Sequence, residues 1–278
     1  MSLWVMLAVL GAAFLHALWN SLLKVGTSRM GAMVILSIGE IPIGLAVVMA
    51  RPALDWSVAP WVIAAGCAHF FYKLFLTYAY ERGDLSRVYP IARGSAPLMV
   101  GLVSPFFLPD VITPVEFAGI AVLGLGILLM AQGVFANGEN RRLIPYALGS
   151  ACATATYTLI DGLGARVSGD AVAYIAWVFV ADGLFFAGGM LAWKGLAVLP
   201  RQRKAWGVGM IAAAASFGAY AVSVWAMTIA PIAVVAALRE TSILFAVMIG
   251  WLVFGEKMTR GKALAALVIV GGVLLTRL

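Results

Sequence analysis

Residues 3–23 read LWVMLAVLGAAFLHALWNSLL, a stretch with no Asp, Glu, Lys or Arg. A helix crossing the hydrocarbon core of a bilayer needs roughly 20 mainly apolar residues, so this stretch alone fills one span. Working outward, nine further apolar runs follow at 30–50, 58–80, 87–108, 114–135, 143–163, 170–193, 205–230, 231–254 and 262–275. The longest segment between runs, 194–204, is too short for a folded soluble domain. The opening run carries His16, Trp19 and Asn20 and has no basic segment before it, so it reads as a retained helix and not as a signal peptide.

Composition agrees with lipid as the main solvent. Hydrophobic residues make up 63% of the 278 and charged residues 11%, against about 25% charged in an ordinary soluble domain. The net charge of +7 does not point to nucleic acid, because the Lys and Arg residues lie in short segments between the apolar runs. Cys67 and Cys152 make no metal or redox spacing and are expected as buried small hydrophobes.

The two halves repeat. A shift of 147 residues lays 77–129 on 224–276 without a gap, so that Ser95 meets Ser242, Gly124 meets Gly271 and Arg93 meets Glu240. A shift of 138 lays Gly11 on Gly149, Trp19 on Tyr157 and Asn20 on Thr158, and a shift of 142 lays Glu40 on Asp182. The polar segment NGENRR at 137–142 separates the halves. The expected organisation is therefore a five-helix repeat over 1–136 and a second over 143–278. Five is odd, so the second unit enters the membrane from the opposite side. The fold class expected is an all-α membrane protein of ten transmembrane helices, as two inverted five-helix repeats around a central cavity. Inverted repeats are a common plan of secondary transporters, since similar halves can exchange roles as gates.

Thirteen basic residues, among them Lys24, Arg82, Arg142, Lys194 and Arg203, fall on one side of a ten-span arrangement, and only Arg51, Arg166 and Arg277 on the other. The positive-inside rule places the first group in the cytoplasm and both termini outside.

Ionisable groups inside a span cost at least ~2.5 kcal/mol near the bilayer centre and need a reason. Here they are Lys73, Arg93 and Arg239 against Glu40, Asp161, Asp182 and Glu240, with His16 and His69. Mutual neutralisation would hold a bundle together; a shared polar cavity would serve transport. Spacing supports the cavity. His16, Trp19 and Asn20 fall at i, i+3 and i+4; His69, Tyr72 and Lys73 repeat that pattern; Thr154, Tyr157, Thr158 and Asp161 extend it to i+7. Tyr89 and Arg93 lie one turn apart, as do Ser216 and Tyr220. Arg93, Arg239 and Lys73 suit anionic groups of a substrate, or pair with acids such as Glu240. Asp161 suits a cationic group or a proton; Glu40, Asp182 and Glu240 are expected in proton coupling or charge pairing. Trp19, Tyr72, Tyr89, Tyr157 and Tyr220 would wall an organic substrate. Pro42, Pro90 and Pro97 are expected to kink their helices. Gly124, Gly126, Gly271 and Gly272 read as close-packing surfaces.

The segments HALWN (16–20) with Lys24, VYPIARGSAPL (88–98), YTLIDGLGARVSGD (157–170), ALRETSILFA (237–246) and FGEKMT (254–259) leading into GGVLL recur across nearly the whole chain. Together they resemble the EamA-type members of the drug/metabolite transporter superfamily. FGEKMT has only LPDVIT (108–113) as its counterpart in the first half. The resemblance implies two inverted repeats, a central cavity lined by both, alternating access, and no catalysis, cofactor or metal. It also implies a multi-pass protein of a bacterial inner membrane, with lipid and a small-molecule substrate as its partners. Family members export amino acids and related metabolites or carry sugar phosphates and nucleotide sugars. They are described with both termini in the cytoplasm, opposite to the charge reading. The expected function is a secondary transporter, an exporter, of a small zwitterionic or anionic metabolite, acting as a monomer with a proton as candidate coupling ion. An intramembrane enzyme or a channel built on the same buried groups is the alternative; no HExxH, GxSxG, CxxC or acidic metal motif supports the enzyme.

Overall fold

The computed structural model describes residues 1–22, 28–82, 85–130, 142–254 and 258–276; the side chains of 85–87, 89, 90, 130 and 254 lie outside the description. Its helices are α1 (Leu3–Leu22), α2 (Arg29–Met49), α3 (Ala59–Tyr80), α4 (Leu85–Phe107) and α5 (Pro114–Met130) in the first half. The second half holds α6 (Leu143–Ser168), α7 (Ala171–Lys194), α8 (Arg203–Met227), α9a (Ile232–Arg239), α9b (Ser242–Phe254) and α10 (Arg260–Leu275). Among the described residues, seven spans are long and apolar enough to cross a membrane, one of them α9a and α9b taken together. The chain is a multi-pass membrane protein. Lys24 and the linker at 137–141 lie outside the described residues.

Local chemistry sets the helix ends. Ser28 accepts from the Gly31 amide at 3.0 Å to start α2, and Asp170 accepts from the amides of Val172 and Ala173, each at 3.0 Å, to start α7. Thr259 caps α10 through the Lys262 amide. Gly169 ends α6 at φ +71°, a left-handed conformation that costs a glycine nothing.

One expected helix is two. The run 231–254 was expected to be continuous, but the backbone leaves the α-helix at Glu240 and Thr241. The cause is not proline. The Glu240 and Thr241 amides bond three residues back, to Ala237 and Leu238, and the Thr241 hydroxyl takes the Leu238 carbonyl at 2.7 Å. Glu240 meanwhile faces Arg93 of α4. The helices that do carry Pro42, Pro90 and Pro97 run without interruption.

Across the molecule, α6 packs on α3 and α4, α8 on α1 and α2, α7 on α2 and α3, and α10 on α5. In the α5–α10 contact, side chains on Gly126 or Gly272 would collide with the backbone amide of Ile269 or Leu123. Gly124 gives room to Leu98 of α4. Gly271 differs from expectation: nothing stands within 4 Å of where its side chain would be.

The interior is polar in places where the outside is not. Leu7, Phe14, Ile63, Leu102, Leu125, Leu184 and Leu252 are exposed, while His16, Asn20, Glu40, His69, Lys73, Arg93, Asp161, Asp182, Arg239 and Glu240 are each 7% exposed or less. Hydrocarbon solvates the first set without cost; the second set must be satisfied by protein or by what the protein binds. Cys67 and Cys152 are corrected to the outer face, where both are exposed. A run apolar on every side does not reveal which face turns inward.

The loop charges sort into two ends. Arg82, at the end of α3, stands 4.3 Å over the Tyr146 ring at the start of α6, and Lys194 approaches Tyr78. At the other end, Arg51 pairs with Asp170 and Arg166 with Asp110.

Candidate functional site

Three groups of buried side chains occupy the interior. The first centres on Lys73 of α3. Its ammonium lies 2.7 Å from Glu40 Oε2 and 2.5 Å from Asp182 Oδ2, and donates to Ser37 Oγ at 2.8 Å. An ammonium has three donors, so Lys73 is saturated. Ser216 of α8 donates to the other Glu40 oxygen at 2.9 Å. Four helices, α2, α3, α7 and α8, are thereby joined through one cation and two acids.

The second group centres on Asp161 of α6. His69 Nε2 lies 2.9 Å from Oδ2, Tyr220 donates to the same oxygen at 2.6 Å, and Tyr174 donates to Oδ1 at 3.2 Å. Asp161 is wholly buried. The His69 ring stacks on Tyr157 with centroids 4.0 Å apart, and Tyr72 and Tyr220 meet Tyr157 edge-on at 5.4 and 5.7 Å. Offset and edge-on contacts of this kind hold aromatic walls in fixed orientation.

The third group lies at the break in α9. Arg93 Nε stands 2.8 Å from Glu240 Oε2, so Glu240 is matched by the cation of α4. Arg239 is held differently. Its Nη2 lies 3.4 Å from Thr158 Oγ1 and 3.5 Å from Glu240 Oε1, while Nε and Nη1 have no hydrogen-bond partner among the described residues. The guanidinium carbon sits 5.8 Å from the Tyr157 centroid and 5.4 Å from that of Tyr220, within cation–π range of both. Those two rings join the third group to the second.

His16 of α1 stands within electrostatic reach of Arg93 and Arg239. The Trp19 indole donates to its Nδ1 at 3.2 Å, which places the ring proton of a neutral imidazole on Nε2. Nε2 has no partner among the described residues, nor do Asn20 Oδ1 and Thr154 Oγ1. Asn20 uses its amide on the His16 carbonyl, at 2.9 Å.

Among the residues expected at the site, His69, Tyr72, Tyr157, Thr158, Asp161, Tyr220 and Arg239 form one continuous set with Arg93 and Glu240 beside it. Lys73, Glu40 and Asp182 form a separate set, in which one cation serves two acids. The Tyr89 side chain lies outside the described residues. Tyr174 and Ser37 were not anticipated. Ser37 lies one turn before Glu40, which could have disclosed it; Tyr174 sits in an apolar run and gives no signal.

Comparison with known proteins bears on this arrangement. The model of the EamA-like transporter family matches residues 142–278. The second half belongs to the EamA-like transporter family. That EamA-like half contributes Tyr157, Thr158, Asp161, Tyr220, Arg239 and Glu240 to the groups above. Members of the family are membrane transporters, not enzymes. A solved crystal structure, described only as that of a protein, aligns with a TM-score of 0.72 at 17% identity, covering 98% of this chain and 94% of its own. At that identity the likeness concerns the fold, which is shared from end to end. No curated protein matches.

Proposed function

We propose that this protein is a secondary transporter of a small anionic or zwitterionic metabolite, with Arg239 as the group that receives the substrate's anion. The observation that carries the reading is the state of that guanidinium. It is buried, faces two tyrosine rings, and has two nitrogens with no hydrogen-bond partner among the described residues. Buried charged donors left without acceptors are costly, and an entering carboxylate or phosphate relieves that cost with charge-assisted bonds. His16 Nε2 and Asn20 Oδ1 offer a further donor and acceptor to the same ligand, and Tyr157 and Tyr220 supply its walls.

The other charges take supporting roles. Lys73, placed among the candidates for anion binding, is fully engaged by Glu40, Asp182 and Ser37 and serves as a lock between α2, α3, α7 and α8. Arg93 holds Glu240 and the break in α9. Asp161, with three partners, orients His69 and Tyr220 and is the candidate proton site.

Alternating access by two inverted repeats agrees with the packing. Exchange α1 with α6, α2 with α7, α3 with α8, α4 with α9 and α5 with α10. The pair α1–α8 then becomes α6–α3, α4–α6 becomes α9–α1, and α2–α8 becomes α7–α3, all of them present. The pairs α2–α7 and α5–α10 map onto themselves, as contacts on a pseudo-two-fold axis must. We read the two units, of five spans each, as oppositely inserted, since an odd number of spans carries the chain to the other side of the membrane. Export, a bacterial inner membrane and a monomeric state complete the proposal.

Thermal unfolding of the purified protein against a panel of amino acids, dicarboxylates and sugar phosphates tests it. A ligand present at 100 times its Kd adds about 2.7 kcal/mol to the folded state. At least one anionic compound is expected to raise the melting temperature by several degrees, and to lose that effect with Arg239→Gln. No shift with any compound counts against the proposal.

A further inference from the structure

At the end of the molecule opposite Arg82 and Lys194, Arg166 is the centre of a dense polar knot. Its guanidinium makes a bidentate pair with Asp110, Nη1 to Oδ1 at 2.7 Å and Nη2 to Oδ2 at 3.0 Å. It also donates to the carbonyls of Met227 at 2.9 Å and Ala230 at 3.2 Å. Asp110 Oδ2 accepts the Ile232 amide at 2.9 Å. Five bonds thus tie the end of α6, the α4–α5 connection, the end of α8 and the first residue of α9a. Neither partner is buried as deeply as the interior charges: Arg166 and Asp110 side chains are 23% and 12% exposed. A surface cleft of about 620 Å³, lined in part by Arg51, Arg166, Asp170, Trp225 and Thr228, ends on the knot.

Two rigid struts lead inward from it. Ile232 and Arg239 are the two ends of α9a, seven residues or about 10 Å apart along the helix. Thr158 precedes Arg166 by eight residues of α6, about 12 Å. The inner ends of the struts meet where Arg239 contacts Thr158. Whatever releases the outer ends therefore moves both residues of that contact.

We infer that the Arg166–Asp110 pair is a gate latch, closing the passage from the surface cleft to the Arg239 site and holding α9a and α6 in the closed arrangement. This rests on the transport reading, since a latch between cleft and site has a purpose only if the site opens alternately. Arg166 and Asp110 are positioning residues: they act on Arg239 through α9a and touch no substrate. A bidentate pair of intermediate exposure suits the task. Its geometry is specific, yet water from the cleft can take over its hydrogen bonds when it parts, which a wholly buried pair such as Arg93–Glu240 does not allow.

The test reads accessibility, so it does not need a known substrate. In a background of Cys67→Ser and Cys152→Ser, Thr158→Cys is exposed to a charged, membrane-impermeant thiol reagent added to the Arg166 face of sealed proteoliposomes. An Ala53→Cys control on the same background identifies that face. Labelling of Thr158→Cys is expected to be slow, to rise at least about tenfold with Asp110→Asn or Arg166→Gln, and to rise less with Arg166→Lys. In a second measurement, Asp110→Cys with Arg166→Cys is bridged by a short bifunctional thiol reagent. The bridge should return labelling at position 158 to the slow rate, read with a charged, membrane-impermeant amine reagent on a Thr158→Lys reporter in place of Thr158→Cys. Unchanged labelling in the neutral variants, with the control still reactive, overturns the latch; so does fast labelling that the bridge fails to slow. If instead no compound is ever transported while the labelling ratio behaves as stated, the carrier reading fails and the gate geometry stands.

Discussion

Replacing Arg239 with glutamine is expected to weaken binding of the responsive anion at least about 100-fold while the protein still folds. Hydrogen bonds to charged groups are worth about 1.5–3 kcal/mol each, and the two nitrogens without partners can make two. A loss of about 2.7 kcal/mol is already a factor of 100. Folding should survive because Glu240 keeps Arg93 at 2.8 Å, whereas its contact with Arg239 is a long one at 3.5 Å. Arg239→Lys should retain part of the affinity, since the charge remains but the planar fork does not. Titration calorimetry on the wild type and both variants measures this directly. An affinity equal to that of the wild type in Arg239→Gln would remove Arg239 from the site.

The second large effect concerns Lys73. Lys73→Met leaves Glu40 and Asp182 buried beside each other without their cation, and removing one partner of a buried charge group typically costs about 3–5 kcal/mol. The expected result is a protein with a much lower melting temperature, or none recoverable from the membrane. The triple variant Glu40→Gln, Lys73→Met, Asp182→Asn removes the charges together and should recover most of the loss. A single variant as stable as the wild type would mean that the two acids are not held by Lys73 in solution. The contrast with Arg239 is the useful part: Lys73 should fail in folding, Arg239 in binding.

The sequence disclosed which residues turn inward more readily than whom they meet. The spacing of His16, Trp19 and Asn20, of His69, Tyr72 and Lys73, and of Tyr157, Thr158 and Asp161 marked inward faces, and all nine side chains are buried. Yet His69 and Lys73, one turn apart on α3, go to different acids, His69 to Asp161 and Lys73 to Glu40 and Asp182. Helical period fixes a face, but partners come from other helices, whose rotation no local pattern records. Arg93 and Arg239 were likewise equivalent on paper; the break at Glu240 turns its carboxylate to one and leaves the other to aromatic rings. That break was invisible because no proline or glycine marks it. Asp110 and Arg166 looked like ordinary loop charges; Arg166 in fact lies in the last turn of α6, and the two residues, 56 apart in sequence, meet only in the folded chain.

Flux through the Arg239 site is the decisive property. The direct measurement is counterflow in proteoliposomes, loading the lumen with an unlabelled anion from the thermal-shift panel and following uptake of the same compound in labelled form. The expected result is saturable uptake that preloading accelerates in the wild type and that Arg239→Gln abolishes. Uptake that is absent for every compound in folded protein, or that neither preloading nor Arg239→Gln alters, would contradict it.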